Sequence, residues 1–265
     1  MPATPGLAVV TGASSGIGAA LARRIAEKGR PVLAVARRGD RLRALSEAAH
    51  AAGTAAIHPL ALDVTEPGAP GRLAEAARAL GGAAWLVNDA GAGAYGAFGR
   101  LDVERLAGLV RLNCEAVLRL THALLPQLME AGAARRDGAM LVVGSAASFQ
   151  PTPYLGVYGA TKAFALSLAE ALSEEWRGTG VFAGAFCPGP VLTEFGETAG
   201  VGARRGWIPF PLSADQAARA ALAQLERRRV VVAPTLLYGF TSRVVGFLPR
   251  WAVRRVSGIA NRGRA

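Results

Sequence analysis

Lysine is almost missing from this chain. Of its 30 basic residues only Lys28 and Lys162 are lysines, and arginine supplies the rest. A chain so biased toward guanidinium keeps lysine chiefly where a compact ammonium does what a planar fork cannot. Asparagine is equally scarce and occurs only at Asn88, Asn113 and Asn261. The two cysteines, Cys114 and Cys187, give no disulfide framework, and His50, His58 and His122 are too scattered to complete a metal site. The cysteines therefore read as packing residues of a reduced, cytoplasmic protein. No apolar run approaches the ~20 residues that span a bilayer. The N-terminus, Met1-Pro-Ala-Thr-Pro-Gly, lacks the basic-then-apolar order of a secretory signal. A net charge of +11 suits nucleic acid or an anionic membrane surface, but the arginines are spread over many segments and no nucleic-acid recognition motif accompanies them.

What is present is a repeated alternation of short apolar runs and amphipathic stretches. The runs at 7–10, 32–36, 56–62, 85–88, 140–143, 181–186 and 230–232 read as strands. Helices are expected over 17–28, 41–52, 72–80, 102–129, 158–176 and 213–225, the last opened by a Ser213-Ala-Asp-Gln216 capping box. Continuously apolar strands that each feed a helix imply a parallel sheet covered on both faces. The expectation is a single-domain α/β doubly wound fold over residues 1–235, followed by an extension at 236–265. Such sheets bind ligands beyond the carboxyl ends of their strands, so function is sought there.

After the first strand comes Thr11-Gly-Ala-Ser-Ser-Gly-Ile-Gly18, turning directly into a helix. Gly12, Gly16 and Gly18 let the backbone approach a pyrophosphate, and the helix start supplies N–H donors beside Ser14, Ser15 and Ile17. The second strand ends in Ala36-Arg37-Arg38, where a site selective for NAD would carry a carboxylate for the ribose hydroxyls. Arginine there favours a 2′-phosphate, hence NADP(H), with Arg37 the expected ligand, Ser14 a helper and Arg38 a solvated neighbour. Asp63-Val64 follows the third strand, placed to meet an adenine, and Asn88-Asp-Ala90-Gly91 follows the fourth as a second small-residue turn against the cofactor.

Tyr158 and Lys162 stand four apart on one expected helix face, a phenol beside an ammonium. A nearby positive charge favours the phenolate and draws the tyrosine pKa toward working pH, which makes the pair an acid/base device. Taken alone, Y-x-x-x-K is more often an ordinary helix face; the other motifs decide otherwise.

These motifs, with Asn113, Ser145 after the fifth strand and Pro188-Gly189 after the sixth, follow the order and spacing of the short-chain dehydrogenase/reductase family, which the chain resembles over about residues 7–235. Asp89 departs from the pattern, since the family usually has a second asparagine there. The resemblance implies Tyr158 as general acid/base, Lys162 lowering its pKa and holding the nicotinamide ribose, Ser145 on the substrate oxygen and Asn113 keeping a water that links Lys162 to solvent. It also implies cofactor contacts from Pro188, Gly189, Val191 and Thr193, the last to the nicotinamide carboxamide, and a homodimer or homotetramer.

The segment 190–212 is too long for a connector and reads as a substrate lid. It carries Phe195, Arg204, Arg205, Trp207, Ile208 and Phe210; Phe149, Tyr154 and Leu155 are expected to face the same pocket, suiting an apolar carbonyl compound or alcohol. In the extension, Leu237, Phe240, Val244, Leu248 and Trp251 recur at helical spacing among arginines. Packing on the protein is favoured over a peripheral membrane contact, which would suit a 3-oxoacyl or steroid-like ketone. A non-catalytic NADP-binding scaffold would need the glycine turn but not Tyr158 and Lys162.

Overall fold

The structure is a computed structural model and describes residues 5–201 and 211–262. Six strands alternate with helices along the first two thirds of the chain: β1 (Leu7–Thr11), β2 (Val32–Ala36), β3 (Ile57–Ala61), β4 (Ala83–Asn88), β5 (Gly138–Val143) and β6 (Val181–Phe186). With β9 (Val231–Val232) they form one seven-stranded sheet in the order β3-β2-β1-β4-β5-β6-β9, every pair parallel. Strands β1, β4, β5 and β6 are buried along their whole length, as expected when helices cover both faces. The exception is β3, whose burial alternates because it lies at the sheet edge, the position that also tolerates Pro59.

Each face carries three helices. Helices α1 (Gly16–Glu27), α2 (Gly39–Ala51) and α8 (Ala214–Arg227) pack through Leu21, Ile25, Leu42 and Ala221 on one side. Helices α3 (Ala69–Ala79), α5 (Ala116–Arg135) and α6 (Gly156–Glu175) pack through Leu73, Leu124, Leu128 and Ala169 on the other. The chain runs outward from β1 to β3 and then crosses back to β4, so the topological switch lies between β1 and β4. The carboxyl ends of these two strands diverge there and leave a crevice.

The expected helix over 102–129 is broken. It consists of α4 (Val103–Val110), one π turn (Arg111–Glu115) and α5, which holds Pro126 and continues to Arg135. The extra residue per turn places Asn113 at the wider part of the helix, facing inward and 2 % exposed. The start of α4 is capped by Asp102, which accepts from the Arg105 N–H at 2.9 Å, and α8 carries the expected capping box.

The segment 190–212 begins and ends in a small two-stranded sheet, β7 (Val191–Leu192) beside β8 (Leu212–Ser213), and includes the short helix α7 (Phe195–Thr198). Trp207, Ile208, Phe210, Arg204 and Arg205 lie outside the described residues. The extension forms α9 (Leu236–Val245) and α10 (Arg250–Arg262).

Candidate active site

A cavity of 980 Å³ opens along the carboxyl edge of the sheet, from Arg37 and Arg38 at one end to Tyr158, Lys162 and the tail at the other. Its floor at the switch point is the glycine turn. Gly12 and Gly16 have φ of +71° and +57°, conformations that side chains resist. A Cβ on Gly12 would stand 2.9 Å from the Ala90 nitrogen, and one on Gly18 would stand 2.6 Å from Asp89 Oδ2. The two turns after β1 and β4 are thus pressed together. Thr11 fastens them: its hydroxyl accepts from the Asp89 and Ala90 N–H groups, both at 3.1 Å, and donates to the Val87 carbonyl. At the start of α1, Ser15 makes no side-chain cap, and Gly16 and Ile17 of the first turn line the cavity. Ser14, Ser15, Ile17, Asp63, Val64, Ala90 and Gly91 all line it; Gly18 sits one layer behind.

The two arginines after β2 both line this end of the cavity, in different ways. Arg37 reaches outward, its side chain 77 % exposed and 3.9 Å from the Asp63 carboxylate. Arg38 is the one that turns in. Its Nε donates to Ser14 Oγ at 3.1 Å and its Nη2 to Ser15 Oγ at 2.7 Å, so it is built into the phosphate turn rather than solvated. Its remaining nitrogen meets Glu194 at 2.8 Å, and Arg41 meets the same carboxylate at 2.5 Å. Asp63 is turned by Thr65, whose N–H and hydroxyl both donate to Oδ1. Burial alone would raise its carboxyl, but these bonds and Arg37 leave it lowered.

At the other end, Ser145 caps a short turn by accepting from the Ala147 N–H at 3.1 Å and also hydrogen-bonds Tyr158. Tyr158 and Lys162 are both buried on the inner face of α6, and the Lys162 ammonium donates to the Val143 carbonyl at 2.7 Å. Nζ lies 5.9 Å from the centre of the Tyr158 ring. Burial pushes the phenol up to about 12, against the Ser145 hydrogen bond and with added upward pushes from Cys187 and Asp89. Burial is thus the largest influence on this phenol. Lys162 is itself lowered by burial, opposed by the Asp89 carboxylate.

Asn113 is fixed from both ends. Its Oδ1 accepts from the Ala92 N–H at 3.0 Å, and its Nδ2 donates to the Ala92 carbonyl and to Thr161 Oγ1, both at 2.9 Å. A Cβ on Gly91 would lie 3.3 Å from both Asn113 Oδ1 and Lys162 Nζ, so these two side chains converge on one point. Asn88 belongs elsewhere. Its Nδ2 donates to Thr121 on α5, the residue is 3 % exposed, and it stands behind the cavity wall as a brace between sheet and helix. Asp89 occupies the wall instead, its carboxylate between Gly12 and Gly18 and hydrogen-bonded to the Gly18 N–H; burial raises it to about 7.

Pro188, Gly189, Val191 and Thr193 line the opposite wall, with the Thr193 methyl 3.2 Å from where a Gly16 Cβ would stand. Phe195 lies over Tyr158, ring centres 5.2 Å apart, and Leu155 lines the same compartment. Two expected pocket residues do not. Phe149 packs against the hydrophobic core, because its turn directs it inward. Tyr154, held at φ +66°, points away into a groove under the tail, where its hydroxyl accepts from Arg262 at 3.1 Å. The tail supplies residues that the sequence did not reveal. Tyr238 packs on Gly189, and α10 closes the cavity with Ser257, Ala260 and Asn261. Asn261 donates to the Pro153 carbonyl at 3.1 Å, and its own carbonyl accepts from the Tyr95 hydroxyl at 2.6 Å. The third scarce asparagine thus ties the extension to the mouth of the site.

A glycine turn at the switch point of a parallel sheet and an acid/base wall at the far end of one cavity define a nucleotide-dependent oxidoreductase on a Rossmann-like sheet. The family model described as short chain dehydrogenase matches residues 6–201, and the chain belongs to the short-chain dehydrogenase/reductase family. An uncharacterized oxidoreductase of Myxococcus xanthus is 38% identical over 195 residues, covering 72% of this chain and 74% of that protein. A short-chain dehydrogenase from Sphingobium yanoikuyae, solved with NADPH, is 32% identical and superimposes with a TM-score of 0.78 over 92% of this chain and 97% of its own. A family member from Burkholderia phymatum, solved with NAD, is 25% identical with a TM-score of 0.82, covering 92% and 94%. The chain is an oxidoreductase of the class acting on CH–OH groups with a nicotinamide cofactor.

Proposed function

We propose that the protein is an NADP(H)-dependent reductase interconverting a carbonyl and a secondary alcohol on an apolar small molecule, with Tyr158 as general acid/base. The observation that carries this reading is the convergence of Ser145, Tyr158 and Lys162 at the end of a cavity whose other end is lined by Arg37 and Arg38. The residues fit a dinucleotide: the glycine turn lines the cavity at the switch point, and the end of β2 offers guanidinium rather than carboxylate. Bound NADPH supplies the hydride. Tyr158, neutral and hydrogen-bonded by Ser145, is poised to give its proton to the substrate oxygen as charge develops there. Ser145 positions that oxygen, Lys162 orients the nicotinamide ribose, and Asn113 holds the loop over which a water reaches Lys162. Thr193, Val191 and Gly189 border the nicotinamide, while Phe195 and Leu155 make the substrate end apolar.

The test is Tyr158→Phe with a panel of ketones followed by nicotinamide absorbance. Turnover should fall by about 10²- to 10⁴-fold, while NADPH affinity stays within about twofold. A variant that turns over as fast as the wild type overturns the mechanism. NADPH should bind more tightly than NADH in the wild type; the reverse order overturns the cofactor assignment.

A second reading, reduction of a lipid-like ketone at a membrane surface, is favoured by the outer face of the tail. Phe240, Phe247, Trp251 and Ile259 are 66 %, 90 %, 61 % and 72 % exposed. No acidic residue follows Glu226. No helix among the described residues is long and apolar enough to cross a membrane, so the contact would be peripheral. A homodimer or homotetramer is supported by exposed Val103, Val110 and Leu118 on α4 and α5, and a cytoplasmic setting by the free cysteines.

A further inference from the structure

Glu194 connects the two ends of the cavity. It follows Thr193 on the wall opposite the glycine turn and directly precedes Phe195, whose ring covers Tyr158 at 5.2 Å. Its carboxylate is shared between Arg38 at 2.8 Å and Arg41 at 2.5 Å. Arg38 also gives its Nε and Nη2 to Ser14 and Ser15 of the phosphate turn. Its Nη1 is the nitrogen that faces Glu194.

We propose that Glu194 is a cofactor-specificity residue that occupies the arginines a ribose 2′-phosphate would bind, so that a cofactor carrying this phosphate displaces it and frees the segment over Tyr158. The inference rests on the functional reading above and adds a residue and a coupling to it. A carboxylate and a phosphate dianion recognise arginine through the same bidentate geometry, and two anions on one pair of guanidiniums repel each other. Hydrogen bonds from Arg41 and then Arg38 hold the Glu194 carboxyl down at about 2, so it is ionised where the phosphate is a dianion. A cofactor with only hydroxyls on that ribose has no charge with which to displace it and leaves the bridge closed. The bridge is partly open to solvent, with side-chain exposures of 41 % and 44 % for Arg38 and Glu194, which makes it weak enough for a dianion to open. Since Glu194 and Phe195 are adjacent, release at the adenosine end moves the residue that covers the reacting end.

The experiment compares wild type with Glu194→Gln, which keeps the size and hydrogen-bonding of the side chain and removes its charge. Affinities for NADPH, NADH and 2′,5′-ADP are measured at low salt, and amide hydrogen exchange is followed across residues 191–201. Glu194→Gln should tighten NADPH and 2′,5′-ADP by about three- to tenfold and leave NADH within about twofold, the difference vanishing at about 1 M salt. In the wild type, 2′,5′-ADP should speed exchange across 191–201, and in Glu194→Gln that exchange should already be fast. Equal changes for both cofactors, weaker NADPH binding, or exchange indifferent to 2′,5′-ADP each overturn the proposal while leaving the oxidoreductase reading intact. Failure of the wild type to bind either cofactor overturns that reading and this proposal with it.

Discussion

Asp89 shows how one residue can depart from a family pattern and acquire a property the pattern lacks. Where an asparagine would be neutral, the carboxyl stands between Gly12 and Gly18 and is raised to about 7 by burial, against the Lys162 ammonium and the Gly18 N–H. A carboxyl whose folded pKa exceeds its ordinary value binds its proton more tightly in the native state. Stability is then lost as pH rises from the ordinary carboxyl range up to about 7, and is level above that. Asp89→Asn should remove this slope. Thermal melts between about pH 5 and pH 8 should show wild type losing ground to the variant as pH rises, with the variant the more stable at the upper end. Parallel curves would refute the assignment. The change from Asn to Asp was legible in the sequence, but its consequence was not, because burial against two glycines is set by the meeting of the β1 and β4 turns. The same limit applied to Arg37 and Arg38. Neighbouring identical residues offer no sequence signal for which one turns inward, and the bend after β2 decides it.

At the scale of elements, the strands were legible because a parallel sheet buried on both faces demands uninterrupted apolar runs, and these stand out between polar helix faces. The motifs fell at strand ends for the same reason, since that is where the crevice opens. Three features escaped. The π turn at Arg111–Glu115 changes the register of a helix whose apolar pattern is dense enough to fit either register. Strands β7 and β8 are two residues each, too short for any period. The amphipathic stripe read in the extension falls mostly on α9, and the surface that α10 covers is defined by Tyr95 and Pro153, distant in sequence. The Asn261 side chain supplies one of the bonds that seat this helix. Asn261→Ala should remove about 0.5–1.5 kcal/mol and speed amide exchange across 250–262 by roughly three- to tenfold, with the sheet unaffected. Unchanged exchange would mean that Val253 and Ser257, both buried, seat α10 without it.

The whole molecule carries its charge unevenly along the sequence. Beyond Glu226 the chain has nine arginines and no acid. In the body, by contrast, arginines are repeatedly neutralised, as where Arg30 chelates Asp137 beneath Trp85 and Arg24 chelates Asp215. The tail thus has one face, with Ser257, Ala260 and Asn261, closing the cavity, and another with Trp251, Arg255 and Ile259 outward. Each arginine near an anionic bilayer contributes about 1 kcal/mol, and the exposed aromatic and aliphatic side chains add burial in the interface. A protein docked in this way would have the mouth of its cavity at the lipid surface, and loosening of α10 there would open it toward an apolar substrate. Flotation with vesicles of neutral lipid and of neutral plus anionic lipid separates the possibilities. Full-length protein should float only with anionic vesicles and be released by about 0.5 M salt, and Phe247→Ser with Trp251→Ser should weaken binding severalfold while ketone turnover in solution persists. Binding that survives removal of both aromatic residues and of residues 236–265 would place the contact elsewhere on the basic surface. No flotation by the full chain would leave the tail with its packing role at the cavity mouth.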